Sequence, residues 1–363
     1  MEQGRQTRQI VVVDHVHKDD AHQADIDMNN LPAASCGYQA VRDARNEKSR
    51  ERKTFTIPQL KADGYRELEW DGRTTIAVTE KSSGKIALAL VGQPNDPTYA
   101  KSQLNVTNAM LKASESANFT SEDLNHRRAS NSPALNVGIS YGMGSVRPGN
   151  LVNERQHTPI LQALLDNKDL RRMASFADAT FKLWSPRVYK YIDDHLLKLY
   201  QHNPRLKKNF DNSIFPCAAF NFGPQVCCYG HRDMLNCPFA WCAIQALGQF
   251  DHTKGGHLVV EELKLYIQFP AGALIHIPSA TLTHGNTPVQ EHEIRLSFTQ
   301  FCAGGLLRFV NNGFQGEKGL KRRNKRLYQQ KMEEKKDRWE MGLALLCTVD
   351  EILDPAIHRP RDA

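Results

Sequence analysis

The sequence predicts an α+β fold in which a jelly-roll core of short strands is flanked by helices. From residue 215 onward, short apolar runs are separated by glycine- and proline-containing turns, which is typical of a jelly roll. Upstream, two prolines stand where helices would begin. With 363 residues, 40% of them apolar, the chain can bury a large core. A net charge of +7 is a mild excess that suits a polyanionic partner.

Three regions are expected along the chain. Residues 1–53 are polar and predict a disordered arm that ends in a charged run. Residues 54–315 are expected to form the folded domain, with residues 215–315 as its core. Residues 316–363 predict a basic, helical C-terminal extension.

The first half of the domain combines a hairpin with helices. Strand-like runs at 74–79 and 85–91 flank a Lys-Ser-Ser-Gly turn and predict the hairpin. A helix is expected over 99–116. Thr158-Pro159 and Ser185-Pro186 each place a hydroxyl N-cap before a proline and predict two more helix starts.

The glycine-rich segment 136–150 is expected to be a strand followed by an irregular loop. It lacks the Gly-Lys-Ser/Thr end of a phosphate-binding loop. Such glycines suit either a close approach to a ligand or a plain surface loop, and the sequence does not separate the two.

The second half of the domain is predicted to consist mainly of strands. Alternating residues at 263–269 predict a strand, Pro270-Ala271-Gly272 a turn, and 273–277 and 296–301 two further strands. The eight cysteines include no CxxC pair, which argues against a zinc site and favours small buried thiols. We expect an intracellular protein, because neither a signal peptide nor a membrane-length apolar stretch is visible.

The spacing of His231-x-Asp233, His284 and Arg295 is the pattern that indicates a catalytic site. Residues i and i+2 of a strand share a face, so His231 and Asp233 are expected to point inward together, and His284 to close the set from a returning strand. Two histidines and a carboxylate hold Fe(II) on one face and leave positions for a bidentate keto acid and O₂. The pattern therefore predicts a 2-oxoglutarate-dependent dioxygenase.

A carboxylate clamp is expected one strand after His284. The fork of Arg295 suits the far carboxylate of 2-oxoglutarate, and Ser297 on the same strand face can add a hydroxyl. Arg308 is the competing arginine and is expected to lie outside the barrel. Asn221 suits either the keto-acid head beside the metal or a strand-end hydrogen bond.

With these residues in hand, the chain resembles the TET/JBP family of nucleic-acid-base dioxygenases, and most closely its shorter fungal members. Similarity spans roughly residues 55–315. The matching words are NVGISYGMG at 136–144, PGN at 148–150, NFGP at 221–224, HRDMLNCPFAWCAIQALGQFD at 231–251, GGHLVVEELKLYIQFPAGALIHIPSATLTHGN at 255–286 and EIRLSFTQFCAGGLLRFVNNGF at 293–314.

The resemblance implies a double-stranded β-helix that uses Fe(II), 2-oxoglutarate and O₂ to oxidise the methyl of 5-methylcytosine in DNA to hydroxymethyl, formyl and carboxyl forms. It implies that Asn236 hydrogen-bonds the base edge and that Phe301 stacks on the extruded base. Animal members carry a base-contacting histidine where this chain has Ala303. The pocket is therefore expected to be roomier or to bind the base in a different way.

DNA is the expected partner, the nucleus the expected location and a monomer the expected state. A basic cluster is a candidate for binding backbone phosphates, for a nuclear-import signal or for a solvated helix face: Lys321, Arg322, Arg323, Lys325 and Arg326. Two other functions stay open. One is the same chemistry on N6-methyladenine or a methylated RNA base, and the other is a degenerate jelly roll that only binds nucleic acid.

Overall fold

The computed structural model describes residues 15–17, 20–42, 54–126, 128–142 and 144–358. These residues form a nine-stranded sheet, a four-stranded sheet and a two-stranded ribbon, with helices against the outer faces of the sheets. Most strand pairs are antiparallel. The predicted α+β class with a jelly-roll core and flanking helices is confirmed.

The large sheet has the strand order β1-β3-β4-β13-β10-β15-β9-β7-β8. Its strands are β1 (His22–Ala24), β3 (Ile76–Glu80), β4 (Ile86–Gly92), β7 (Ala134–Ser140), β8 (Gly149–Asn150), β9 (Cys217–Asn221), β10 (Cys242–Gln249), β13 (Leu274–Ile277) and β15 (Ile294–Phe301). Non-consecutive strands lie side by side, so residues far apart in the chain meet on one sheet face.

The small sheet has the order β14-β11-β12-β2 and faces the large one. Its strands are β2 (Arg66–Leu68), β11 (Leu258–Val260), β12 (Leu265–Ile267) and β14 (His284–Asn286), and the separate ribbon pairs β5 (Asn125–His126) with β6 (Ala129–Ser130). Apolar side chains of both sheets form one buried cluster, including Leu88, Ile275, Leu258 and Ile267. This cluster is the interior of the jelly roll.

Alternation along β15 separates the site from the helix-facing core. Leu296 and Phe298 lie in the cluster that the helices cover. Arg295 and Ser297 therefore point to the opposite face, toward the interior between the sheets. One strand thus supplies both a packing surface and the predicted co-substrate clamp.

Helices cover the outer faces. They are α1 (Ile57–Ala62), α2 (Tyr99–Ser116), α3 (Ser121–Leu124), α4 (His157–Asp166), α5 (Lys168–Trp184), α6 (Pro186–His202), α7 (Gly304–Asn311), α8 (Glu317–Arg323), α9 (Lys325–Glu334), α10 (Arg338–Ala344) and α11 (Val349–Leu353). Residues of α2, α4 and α5 pack on β7, β9 and β15. Helix α1 covers Val259 and Tyr266 on the outer face of the small sheet.

Most predicted elements are found, with shifted ends. The 74–79 and 85–91 hairpin is confirmed as β3 and β4, and the 99–116 helix as α2. Ser185 is the N-cap of α6, although its side chain makes no capping hydrogen bond. Thr158 is not a cap, because α4 already begins at His157. Of the predicted strand 263–269, only Leu265–Ile267 pairs, since a turn with Lys264 at φ 51° precedes it.

Part of the segment predicted to be a disordered arm is folded. Strand β1 pairs in parallel with β3, and Met28 and Tyr38 are buried in the core. These few apolar residues anchor a segment whose average composition is polar. Residues 1–14, 18–19 and 43–53 of the predicted arm lie outside the described residues.

The predicted C-terminal extension also joins the core. Leu343, Cys347 and Ile352 are buried in the same apolar cluster as Tyr38. The amide of Ile86 donates to the carbonyl of Cys347 at 2.9 Å, which ties this region to β4. Residues 338–353 are therefore part of the folded unit rather than an appendage to it.

The cysteines are free thiols, as predicted. Six are buried and two, Cys227 and Cys228, are half-buried. Across the described part of the chain, the helices are too short or too polar to cross a bilayer.

Candidate metal and co-substrate site

Three side chains from one loop and one strand converge at one edge of the jelly roll. The ligand atoms of His231, Asp233 and His284 all lie within 4.8 Å of one another. The Nε2 atoms of His231 and His284 are each 3.9 Å from an oxygen of the Asp233 carboxylate. A divalent cation between them would have two nitrogen ligands and one oxygen ligand, as the spacing predicts.

Main-chain pairing sets the distance between the two histidines. The amide of His231 donates to the carbonyl of His284 at 3.0 Å, and the reciprocal bond is 2.9 Å. The rings stand with centroids 4.5 Å apart. The sequence suggested that strand alternation points His231 and Asp233 to the same side. In the structure Asp233 begins the turn after this bridge, so alternation within a regular strand is not the cause. A two-residue bridge followed by a turn does so.

The ring orientations fit a bound metal. Nδ1 of His231 lies 2.8 Å from the carbonyl of Tyr229, and Nδ1 of His284 lies 3.0 Å from that of Leu282. Because a carbonyl only accepts, both Nδ1 atoms carry the proton and both Nε2 atoms present a lone pair. This is the tautomer that a metal-ligating histidine needs.

The protonation states fit as well. Burial, reinforced by the neighbouring His284, lowers the pKa of His231 well below its usual range. Burial by itself would raise the pKa of Asp233, but Arg128 and the two histidines lower it below its usual range. A neutral imidazole and an ionised carboxylate bind a divalent cation without first losing protons.

Arg128 was not predicted from the sequence. Its guanidinium lies 2.8 Å from the Asp233 carboxylate, with 54% of the side chain exposed. It comes from the loop between β5 and β6, more than a hundred residues before Asp233. Nothing in the local sequence around Arg128 indicates this contact.

The predicted clamp lies inside the jelly roll. The Arg295 side chain is 3% exposed, its Nη1 donates to the carbonyl of Val226 at 3.3 Å, and its Nε has no hydrogen-bond partner among the described residues. The guanidinium stands 5.9 Å from the ring centre of Phe250. A buried cation with one weak acceptor is unfavourable unless an anion joins it. Arg295 is thus placed to bind an anionic ligand.

Ser297 lies two residues after Arg295 on the same face of β15, and Asn221 lies opposite it on β9. They are cross-strand partners on β15 and β9, and Nδ2 of Asn221 donates to Oγ of Ser297 at 2.9 Å. Arg308, the competing arginine, lies on α7 outside the sheets. Of the two arginines, only Arg295 faces the interior.

Short contacts connect the clamp to the metal ligands. The carbonyl of Val226 accepts from Arg295 and, at 3.1 Å, from Nδ2 of Asn286. Asn286 is two residues after His284 on β14 and points to the same face of that strand. Burial raises the pKa of the Cys228 thiol, the charges of Arg295 and Arg128 lower it, and that of Asp233 raises it, so this thiol lies between the clamp and the triad. The triad and Arg295 are therefore linked through Val226 and Asn286, and we call the space that they border the chamber.

The residues implied to hold a base are adjacent to the triad. Asn236 and Ala303 form an isolated bridge, and Nδ2 of Asn236 donates to Oγ of Ser279 at 3.1 Å. Phe301, two residues before Ala303, ends β15 half-buried against the interior cluster. The structure therefore pairs Asn236 with Ala303 and places Phe301 two residues before Ala303 on the same segment.

Asn136 is a further polar residue on the inner face of the large sheet, beyond the site residues that the sequence predicted. The register of β7, β9 and β15 places it in line with Ala219 and Thr299, on the face that carries Ser297. Its side chain is exposed on this otherwise half-buried inner face. An asparagine within an apolar strand is the signal that could have identified it.

The basic cluster does not belong to this chamber. Its five residues are exposed at the end of α8 and the start of α9, which Asn324 separates by capping α9. Lys321 stands over the ring of Tyr328, 5.6 Å from its centre. The cluster is thus divided between two short helices of the C-terminal region.

No family model matches this sequence, and no curated protein matches it. Among solved structures, the chain is similar to NgTET1 in complex with 5mC DNA, with 14% identity over 69% of this chain and 88% of that one and a TM-score of 0.38. It is similar to an oxidoreductase of the 2OG-Fe(II) oxygenase family from Burkholderia pseudomallei, with 15% identity, coverages of 66% and 96% and a TM-score of 0.33.

A third similar structure is the viral collagen prolyl hydroxylase of Paramecium Bursaria Chlorella virus-1 in its 2OG complex. It has 19% identity, covers 24% of this chain and 57% of that one, and has a TM-score of 0.20. With TM-scores below 0.5, none of these likenesses decides what this chain does. The functional conclusion depends on the geometry of its own site.

Proposed function

We propose that this chain is an Fe(II)- and 2-oxoglutarate-dependent dioxygenase that oxidises the methyl group of 5-methylcytosine in DNA. The observation that carries the proposal is the shared chamber of His231, Asp233 and His284 with the buried guanidinium of Arg295. A three-ligand metal site and a buried cation without an anion are what a chelating dicarboxylate requires.

Each residue has a defined task in this proposal. His231, Asp233 and His284 would hold Fe(II), and their Nδ1 hydrogen bonds fix the rings in the ligating tautomer. Arg295 and Ser297 would hold the far carboxylate of 2-oxoglutarate, with Asn221 orienting the Ser297 hydroxyl. Bound Fe(II), 2-oxoglutarate and O₂ together supply the oxidising power for a C–H bond. The side chains bind, orient and exclude water.

The substrate part of the proposal depends on the edge of the chamber. A base must leave the duplex stack before its methyl group can reach a buried site. Phe301 offers a stacking face, and such stacking contributes about 1–3 kcal/mol per base. Asn236 would meet the base edge, and Ala303 beside it leaves room. The partner would be methylated duplex DNA and the location the nucleus.

The test is a product assay with purified protein, Fe(II), 2-oxoglutarate and duplexes carrying 5-methylcytosine, N6-methyladenine or methylated RNA bases. Mass spectrometry is expected to find hydroxymethyl-, formyl- or carboxylcytosine with matching succinate. His284→Ala should lose metal binding and turnover, whereas His292→Ala, an exposed histidine of the same region, should lose neither. Oxidation of a methylpurine alone would replace the substrate proposal. Duplex binding without metal or 2-oxoglutarate binding would replace the enzyme by a binding protein.

A further inference from the structure

A tight turn beside the triad presents an exposed leucine. The amide of Asn236 donates to the carbonyl of Asp233 at 2.8 Å, so Met234 and Leu235 occupy the two corner positions of this turn. Leu235 is 52% exposed, although both ends of the turn face the chamber. Two peptide steps of about 3.8 Å place its Cα within about 7 Å of that of Asp233.

Hydrogen bonds fix the position of this turn. The carbonyl of Leu235 accepts from the amide of Gly304 at 3.0 Å, and the carbonyl of Met234 accepts from Ala40 at 2.9 Å. The amide of Asp233 donates to the carbonyl of Ser279 at 2.8 Å. Three different segments thus hold the turn, and Leu235 stands on a rigid support.

The segments that adjoin this turn carry cations and a second exposed aliphatic side chain. Nη2 of Arg232 donates to the carbonyl of Val41 at 3.4 Å, and Val41 is 47% exposed. Arg42 is exposed beside it, and Arg128 reaches the Asp233 carboxylate from the other side. We call Val41, Arg42, Arg128, Arg232 and Leu235 the rim. Glu261 is a nearby carboxylate, and its charge interacts with that of Arg232.

A single exposed leucine is ordinary on a protein surface and does not by itself indicate a binding site. Leu104 on α2 and Leu197 on α6 are exposed to 42% and 46%. Leu235 differs from them in place, because it stands on a fixed turn between a candidate metal ligand and a candidate base contact, and the segments that adjoin this turn carry three arginines. That combination of an apolar tip and positive charge suits a duplex better than a protein partner.

Building on the proposed function, we propose that the rim docks duplex DNA, with Leu235 entering the stack where the target base leaves. Removing a base from a duplex costs a few kcal/mol, and an apolar side chain in the gap replaces part of the lost stacking. Arg42 and Arg232 would contact the flanking phosphates. Val41 would pack beside Leu235 against the adjacent base pair.

The test measures base extrusion without turnover. A duplex carries 2-aminopurine next to 5-methylcytosine, and its fluorescence rises when stacking is lost. The full chain with Mn²⁺ and 2-oxoglutarate is titrated, and binding is followed separately by anisotropy. We expect Leu235→Ala to reduce the fluorescence rise at saturation at least threefold. The matched control Leu197→Ala should equal the wild type, and Leu235→Met should retain most of the rise.

Activity supplies a second readout. The ratio of oxidation on duplex to oxidation on single-stranded DNA is expected to fall about tenfold in Leu235→Ala. For Arg42→Ala, loss of one phosphate contact should lower the slope of log K against log salt by about 0.9. Equal fluorescence and equal ratios for Leu235→Ala and Leu197→Ala would overturn the entry of Leu235 into the base stack. An unchanged salt slope for Arg42→Ala would overturn the phosphate contact of Arg42.

The two proposals fail in distinguishable ways. If the chemistry is wrong, no oxidised cytosine forms in any variant, while the fluorescence comparison still reports on Leu235. If the rim does not dock DNA as proposed, the wild type still oxidises cytosine and Leu235→Ala behaves like the control Leu197→Ala. A wild type that binds no duplex overturns the rim directly.

Discussion

Replacing Arg295 by methionine is expected to have opposite effects on stability and on ligand binding. Methionine fills a similar volume but carries no charge. The wild-type residue is 3% exposed, and among the described residues its guanidinium has one backbone acceptor at 3.3 Å and no partner for Nε. Burial also lowers the pKa of Arg295, which reflects the cost of holding this charge away from water.

The magnitudes follow from these contacts. A guanidinium that binds a carboxylate through two charge-assisted hydrogen bonds gains about 1.5–3 kcal/mol for each, or about 3–6 kcal/mol in total. Losing them should weaken 2-oxoglutarate binding by roughly 10²- to 10⁴-fold. Replacing a poorly compensated buried charge with an apolar side chain should stabilise the ligand-free protein by about 1–4 kcal/mol.

The assay is thermal and chemical unfolding with Mn²⁺, with and without 2-oxoglutarate. A ligand at a hundred times its Kd stabilises a protein by about 2.7 kcal/mol, so the wild type should shift and Arg295→Met should not. Arg308→Met is the control, since this half-buried arginine lies on α7 outside the sheets. If Arg295→Met binds 2-oxoglutarate within threefold of the wild type, the assignment of the clamp is wrong.

Two further predictions concern stability. Burial raises the pKa of Asp178 to about 6. The folded-state pKa lies above the unfolded value near 3.8, so the folded protein holds this proton more tightly. The protonated carboxyl therefore contributes about 3 kcal/mol to the free energy of unfolding, and this contribution is lost as pH rises from about 4 through 6. Asp178→Asn should flatten that part of the pH profile of unfolding free energy in urea titrations, and an unchanged profile would contradict it. Gly138 has φ 117°, and a Cβ there would lie 2.1 Å from the carbonyl oxygen of Pro216. Gly138→Ala should therefore cost roughly 2–6 kcal/mol, whereas Gly142→Ala, with positive φ but open space, should cost less in the same assay.

Local signals in the sequence predicted a large part of the fold. The β3–β4 hairpin has a turn signal between two apolar runs, and α2 has a long helix-forming stretch with clear ends. The central strand β10 was missed, because it is covered on both faces and its residues show no polar–apolar alternation. Periodicity reports burial on one face, so it fails where both faces are buried.

The site divides in the same way. His231, Asp233, His284 and Arg295 form a pattern of residue types at recognisable spacing, and the structure brings them to one chamber. Arg128 reaches that chamber through a loop whose path no local pattern encodes. Such long-range placement comes from the closure of the whole fold.

An early segment of the chain, residues 29–38, contacts a late one, residues 338–339. Nη1 of Arg338 donates to the carbonyl of Cys36 at 2.9 Å, its guanidinium lies 4.7 Å from the ring centre of Tyr38, and the indole of Trp339 donates to the carbonyl of Asn29 at 3.2 Å. During synthesis, the early segment around Tyr38 must therefore wait for some three hundred further residues before its packing partners emerge from the ribosome. Folding of this region is expected to finish only after translation has passed residue 338, and a nascent chain halted near residue 315 would expose the apolar surface that Leu343 and Ile352 cover.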